Sequence, residues 1–459
     1  MTTIAVIGGG PAGYVAAITA ARQGQEVTLI EEGPLGGVCL NEGCMPTKAL
    51  LESAAALEKV QQAAEFGIRR SSPYVEIDWA YVQLRKEKII RTLASGVKHL
   101  IKKNQIELVN GKARFNDPHS LWVTTAEGER IIRADKFIIA AGSEPVSLPF
   151  APFAGEWVIH SGQALALSAI PATMLIIGGG VIGCEFASIY SRMGTKVSII
   201  EMADQLLPGE DPDIAAVLHE KLKADGVSIY TSASAKKVEA GKKKVIAETA
   251  QGIRQFSPDC LLVAIGRKPR VAGLQLENSG VAYSKAGIEV NSQMQTSQPH
   301  IYACGDIVGG SQLAHVAFHE GTVAALNACG EAVHADYRAV PRCIYTSPEI
   351  AGVGLTEKQA RAQYGDIKVG ECAFSANGKS LILNEAAGKV KVLIEPQYNE
   401  IIGLSIVGPH ATELIGQGTV MIHGEMTADS LERLIAAHPS VSEAIYEAVA
   451  STAGQAVHI

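Results

Sequence analysis

Cysteine is sparse in this chain, 8 in 459 residues, and aromatic residues make up only 5%. A secreted disulfide scaffold is shorter and denser in cysteine, so the scarcity argues against that class and points to a reducing, cytoplasmic compartment. Positive charge is not in surplus either. The formal net charge of −7 leaves no basic footprint for nucleic acid or an anionic membrane, and the expected partners are small molecules or proteins. No charged leader precedes a small-residue cleavage site, so secretion is not expected. The chain does hold a long uncharged run, Ile4 to Ala21, but Gly8, Gly9, Gly10 and Pro11 sit in its middle, where they would break a membrane-spanning helix. They suit a strand, a tight turn and a helix start far better.

What is present is length, an ordinary apolar share of 47%, and an internal repeat. The length exceeds the roughly 250 to 300 residues at which single cores stop growing, so several domains are expected. Near the start, "TIAVIGGGPAGYVAAITAARQGQEVTLIEEG" reads as strand, glycine turn, alanine-rich helix and second strand ending in Glu31. The plan returns in "MLIIGGGVIGCEFASIYSRMGTKVSIIEMA", with Gly178, Gly180 and Gly183 in the places of Gly8, Gly10 and Gly13, and Glu201 in the place of Glu31. One such glycine pattern is a weak signal, and a plain strand-to-helix turn explains it. Two in full context indicate two dinucleotide sites, each with a pyrophosphate at a helix N-terminus and a carboxylate for ribose hydroxyls. Glu201 repels a 2′-phosphate, and the following "MADQLLP" has no arginine or lysine to receive one, so the second dinucleotide is expected to be NAD.

Boundaries fall at "AAGSEP" with the proline-containing "LPFAPFAGEW", and again at "AIGRKP". They divide the chain into 1–146, 147–266, a central segment 267–336, and 337–459. The expected fold is α/β: two Rossmann-like dinucleotide-binding domains and a C-terminal α+β domain.

Cys39 and Cys44, in "GGVCLNEGCMPTK", are the only close cysteine pair. A structural bridge does not suit a reducing compartment, and zinc lacks a further ligand pair at suitable spacing. A redox couple remains. Five helical steps leave the two residues roughly 140° apart, so a regular helix cannot join them, and Gly43 with Pro46 implies a distorted first turn. The other six cysteines, Cys184, Cys260, Cys304, Cys329, Cys343 and Cys372, are expected as small buried hydrophobes.

The motif "GGVCLNEGCMP" resembles, position for position, the active-site signature of the class I pyridine nucleotide-disulfide oxidoreductases. The resemblance spans essentially the whole chain, through "IYACGDIVGG", "LAHVAFHEG", "TSPEIAGVG" and "HPSVSE". It implies FAD at Gly8, Gly10, Gly13, Glu31, Gly37, Lys48, Ala113, Asp306 and Ala314, and NAD at Gly178, Gly180, Val181, Gly183, Glu201, Val238 and Gly266. Segment 267–336 would complete the FAD site. Cys44 would be the flavin-side thiol, Cys39 the interchange thiol, and Lys48 would pair with Glu185.

Thiol exchange needs a base near neutral pH, and His438 with Glu443 five residues on is the candidate. In the family this pair comes from a second subunit, so the resemblance implies a homodimer through 337–459. Order and spacing are similar to family members that oxidise dihydrolipoyl groups on the E2 core of 2-oxo acid or acetoin dehydrogenase complexes. Glutathione-type members carry NADPH-binding arginines that are missing here, and mercuric-type members carry a C-terminal cysteine pair that "STAGQAVHI" lacks. A non-catalytic, redox-sensing subunit is the alternative from another class. Two departures stand out: Ala436 replaces a histidine frequent in the family, and Arg270 replaces a frequent asparagine.

Overall fold

The structure is a computed structural model and describes residues 2–69, 71–72, 75–153, 155–431 and 433–459. Ala154, in the proline-containing linker, lies outside the described residues. Strand Thr3–Ile7 is buried on both faces and reads as a continuous apolar run, as a parallel strand covered by helices does. It sits at the centre of a parallel sheet in the order Ile301–Ala303, Lys136–Ile139, Thr3–Ile7, Glu26–Glu31, Glu107–Asn110. The outermost strand comes from the central segment, so residues more than a hundred positions further on complete the first sheet.

The second sheet repeats the plan: Ser228–Tyr230, Lys196–Ile200, Thr173–Ile177, Cys260–Val263 and Val158–Ile159, again parallel. The repetition extends beyond the glycine motif. Each parallel sheet carries a three-stranded antiparallel sheet, Lys112–Arg133 in the first copy and Ser234–Phe256 in the second.

In each copy the helix after the glycine turn starts at the motif itself, Pro11–Arg22 behind Gly10 and Val181–Arg192 behind Gly180. Pro11 occupies the first helical position, where its missing N–H has no partner to lose. A Cβ on Gly13 would lie 1.8 Å from the Gly8 carbonyl oxygen, and one on Gly183 would lie 1.9 Å from that of Gly178. Only glycine lets helix and strand approach this closely.

The C-terminal part is a five-stranded antiparallel sheet, Arg342–Ile344, Glu349–Gly354, Ile401–Gly408, Lys389–Ile394 and Lys368–Ala373. Helices Ala411–His423 and Glu443–Ser451 pack on it around a core of aliphatic side chains such as Leu404, Ile406 and Ile415. Among the described residues, no helix is long and apolar enough to cross a membrane.

The second and third modules are joined by buried charge. Lys391, 3% exposed, lies 3.2 Å from Asp211, 3.0 Å from Asp213 and 2.6 Å from Glu357. Arg342 reaches Glu210 at 2.9 Å.

Candidate active site

One continuous cavity of about 1910 Å³ runs from the first glycine turn, past the cysteines, to the second glycine turn. Its wall includes Gly8, Gly10, Glu31, Gly37, Ala113, Asp306 and Ala314 at one end and Gly178, Gly180, Val181, Glu201 and Gly266 at the other. Gly13 and Gly183 act one layer back, holding the turns as described.

The two acidic residues are held alike. Glu31 accepts hydrogen bonds from the N–H groups of Gly9 and Gly33, and Glu201 accepts from those of Gly179 and Ala203. At Gly37 the backbone is left-handed, φ 56°, and an added Cβ would lie 2.7 Å from Gly10 Cα. Two backbones thus pass each other where a pyrophosphate needs room, and the donor groups fit a dinucleotide at each end.

Cys39 lies in a short helix, Gly37–Asn41, and Cys44 opens the long helix Cys44–Gln61. The expected distortion is therefore a break between two helices, at Glu42 and Gly43. Pro46 falls in the first turn of the second, and Thr47 Oγ1 donates to the Gly43 carbonyl at 2.5 Å. Both cysteines are free thiols facing the cavity. The Cys39 thiol hydrogen-bonds to the Cys44 sulfur, and this bond, assisted by Lys48 and opposed by burial, lowers Cys44 to about 7. The same bond, with burial and the charge on Cys44, pushes Cys39 up. Of the reduced pair, Cys44 is therefore the sulfur that ionises near neutral pH, its thiolate predominating above about 7.

Lys48, one helical turn beyond Cys44, is fixed by Glu185 from the second module. Its Nζ donates to Oε1 at 2.9 Å and to Oε2 at 3.0 Å, and Glu185 is buried. The Tyr345 N–H donates to Glu185 Oε1 at 3.0 Å, and the Lys48 ammonium stands 4.4 Å from the Tyr345 ring centre. Asp306 accepts from Ser143 Oγ, which accepts from Arg267 Nε at 2.8 Å. Tyr345, Ser143 and Arg267 escaped the sequence reading; the only signal was that Ser143 and Arg267 fall in "AAGSEP" and "AIGRKP" and that Tyr345 immediately precedes "TSPEIAGVG".

Other sequence expectations meet a different geometry. The structure does not bring Val238 to the cavity wall. It packs into the core opposite Val245, while Ala235, earlier on the same strand, and Ala233, just before it, line the wall. Three residues along a strand is about 10 Å, enough to carry Val238 out of reach. Cys343 is half-buried and lines the cavity, unlike a sealed core thiol. Arg270 forms an ion pair with Glu32 at the cavity wall.

His438 and Glu443 lie outside this cavity. Nδ1 of His438 is 2.8 Å from Glu443 Oε1, and Glu443 Oε2 accepts from the Ser440 N–H at 2.8 Å. Burial works against the charge on Glu443, yet the Ser440 bond and His438 hold its carboxyl below the usual range. The imidazole is 81% exposed, on the surface of a single chain. Among the described residues no cluster could hold a metal ion.

Two dinucleotide cradles joined by a dithiol define a flavoprotein disulfide oxidoreductase, and the chain belongs to the pyridine nucleotide-disulphide oxidoreductase family, whose model matches residues 2–321. The family's dimerisation domain matches residues 340–449. At the level of individual proteins, the chain is 54% identical to a dihydrolipoyl dehydrogenase of Bacillus subtilis, over 99% of this chain and 100% of that one. It is 39% identical to a dihydrolipoyl dehydrogenase of Geobacillus stearothermophilus, over 100% of this chain and 97% of that one. Among solved structures, LpdA of Mycobacterium tuberculosis superposes with a TM-score of 0.91 at 28% identity, covering 98% and 99% of the two chains.

Proposed function

We propose that this chain oxidises dihydrolipoyl groups with NAD, as a homodimeric flavoenzyme serving the E2 core of a 2-oxo acid or acetoin dehydrogenase complex. The observation that carries the reading is the Cys39/Cys44 pair, with its charge poised by Lys48 and Glu185, in a cavity that reaches both cradles. We read the chain as parts 1–146 for FAD, 147–266 for NAD, 267–336 completing the FAD site, and 337–459 for dimerisation. A cytoplasmic setting fits thiols that must cycle.

In the oxidised enzyme Cys39 and Cys44 share a disulfide. A substrate thiolate attacks Cys39 Sγ; the Cys39–Cys44 bond breaks, and Cys44 leaves as a thiolate facing Lys48. The partner subunit supplies its own imidazole at the position of His438, which takes the proton of the second substrate thiol. That thiolate attacks the substrate sulfur of the mixed disulfide, a cyclic lipoyl disulfide departs, and Cys39 leaves as a thiolate that takes the proton back from the imidazole. Two electrons and one proton now reside on the sulfur pair, as the Cys39 thiol and the Cys44 thiolate. When bound, FAD supplies a two-electron relay from this pair to NAD. Glu201 would orient NAD and disfavour a 2′-phosphate, and Val181, at the head of its helix, lines the same cavity.

The test is anaerobic reduction of the holoenzyme with dihydrolipoamide, followed by NAD. Flavin bleaching or a long-wavelength band, then NADH, is expected. Reduction by NADH but not by dihydrolipoamide would transfer the reading to another disulfide substrate.

A further inference from the structure

Glu185 Oε1 receives two donors that come from different modules, the Lys48 ammonium at 2.9 Å and the Tyr345 N–H at 3.0 Å. The side chain of Tyr345 closes the triangle, with its ring centre 4.4 Å from Lys48 Nζ. Tyr345 follows strand Arg342–Ile344 of the C-terminal sheet, so that sheet places an aromatic face against a lysine of the first module and a carboxylate of the second.

We propose that Tyr345 is a positioning residue of this site: its ring seats the Lys48 ammonium beside Glu185 and so fixes the positive charge that faces Cys44. The proposal rests on Cys39 and Cys44 being the redox pair. A lysine stem has four rotatable carbons, and two carboxylate contacts alone leave the ammonium free to pivot about Glu185. The negative face of an aromatic ring supplies a third point of attachment, and partial burial strengthens it. The phenol itself is not required. Its hydroxyl makes no hydrogen bond among the described residues, and burial pushes it up to about 12, so it stays neutral.

Lys48 is one of several groups around the thiols. Cys44 also faces Cys39, Glu185 and Arg267; Arg267 faces Asp306 and Glu42; Tyr14 faces Cys39; and Cys343 faces Lys48. Tyr345→Phe keeps the ring beside all of these groups, so it is the control against which loss of the ring's hold on Lys48 is read.

The experiment uses Cys39→Ser holoenzyme, in which Cys44 is the one sulfur of the pair. Its thiolate is followed by the long-wavelength absorbance a thiolate gives beside an oxidised flavin, titrated against pH. In this background Tyr345→Phe should keep the midpoint. Tyr345→Leu should raise it by about half a pH unit or more, the scale of a cation–π contact of about 0.7 kcal/mol converted at about 1.36 kcal/mol per unit. A Leu midpoint equal to that of Tyr, or a Phe midpoint displaced like that of Leu, overturns the proposal. If the Leu variant loses FAD, peptide-resolved alkylation of Cys44 against pH gives the same midpoint without the flavin. Neither readout involves dihydrolipoamide, so failure of the substrate assignment and failure of this inference are separate results.

Discussion

Glu201 holds the backbone N–H of Gly179 across the second glycine turn, as Glu31 holds that of Gly9 across the first. Each carboxylate thus braces the turn and presents its remaining lone pairs and charge to the cavity. Glu201→Gln keeps an acceptor for the turn and removes the charge. The ratio of kcat/KM for NADH over NADPH, measured with lipoamide as acceptor, should fall by about tenfold, the scale of one lost charge repulsion near 1.4 kcal/mol. An unchanged ratio would assign discrimination to residues other than Glu201.

The Cys44 proton sets the acidic limit of the reduced enzyme. Its folded value is lowered to about 7, so the thiolate is present above that value and lost as pH falls through it. Titration of the two-electron-reduced holoenzyme should therefore show the thiolate band fading between about pH 8 and 6, one unit on either side of the midpoint. A band that persists to pH 5 would contradict the charge assignment.

His438 should be dispensable for one half of the reaction and not for the other. His438→Gln should lower turnover with dihydrolipoamide by about 10² to 10⁴, the usual contribution of a positioned base. NADH oxidation by an artificial electron acceptor, which bypasses the thiols, should keep its rate. Glu443→Gln should show a smaller loss in the same direction, because it leaves the imidazole in place and weakens only its orientation.

Lys391 is buried and faces three carboxylates. Burial alone lowers its ammonium value, and Glu357, Asp213 and Asp211 overcome this and hold it above the ordinary lysine value. A raised value contributes stability that is fully present below the unfolded lysine value and lost as pH rises through the folded one, so neutral pH is well inside the stable window. Lys391→Met keeps the stem and leaves the carboxylates facing each other. Denaturant unfolding should report a loss of about 3 to 5 kcal/mol, the usual result of removing one partner of a buried pair. A loss within about 1 kcal/mol of zero would mean that the carboxylates find other partners.

How much was legible depends on how local each feature is. The glycine turns, Glu31 and Glu201 stand at fixed spacing inside one strand-turn-helix unit, so the sequence alone displays them and the parallel sheets they belong to. The dithiol was visible because the two cysteines stand only five positions apart. The Lys48–Glu185 pair was reachable only through family resemblance, since its partners sit 137 residues apart. Arg267 to Ser143 spans 124 residues, and Tyr345 to Glu185 spans 160. No periodicity or spacing rule reaches across such distances; packing of whole modules creates these contacts. Val238 departs from the expectation for the opposite reason: Ala235 lines the cavity, and Val238, further along the same strand, pairs with Val245 off its wall.

The first parallel sheet ends in a strand that the ribosome makes last of all its members. Until Ile301–Ala303 emerges, strand Lys136–Ile139 has its hydrogen-bonding edge open on one side, beside fully buried Phe137, Ile138 and Ile139. An N-terminal fragment ending at residue 146 would present that apolar edge to any neighbouring chain. The nascent chain therefore makes its first nucleotide-binding sheet and its second in overlapping order, with the earlier one closing after the later one. Chain segments held open in this way are those that molecular chaperones shield and proteases cut.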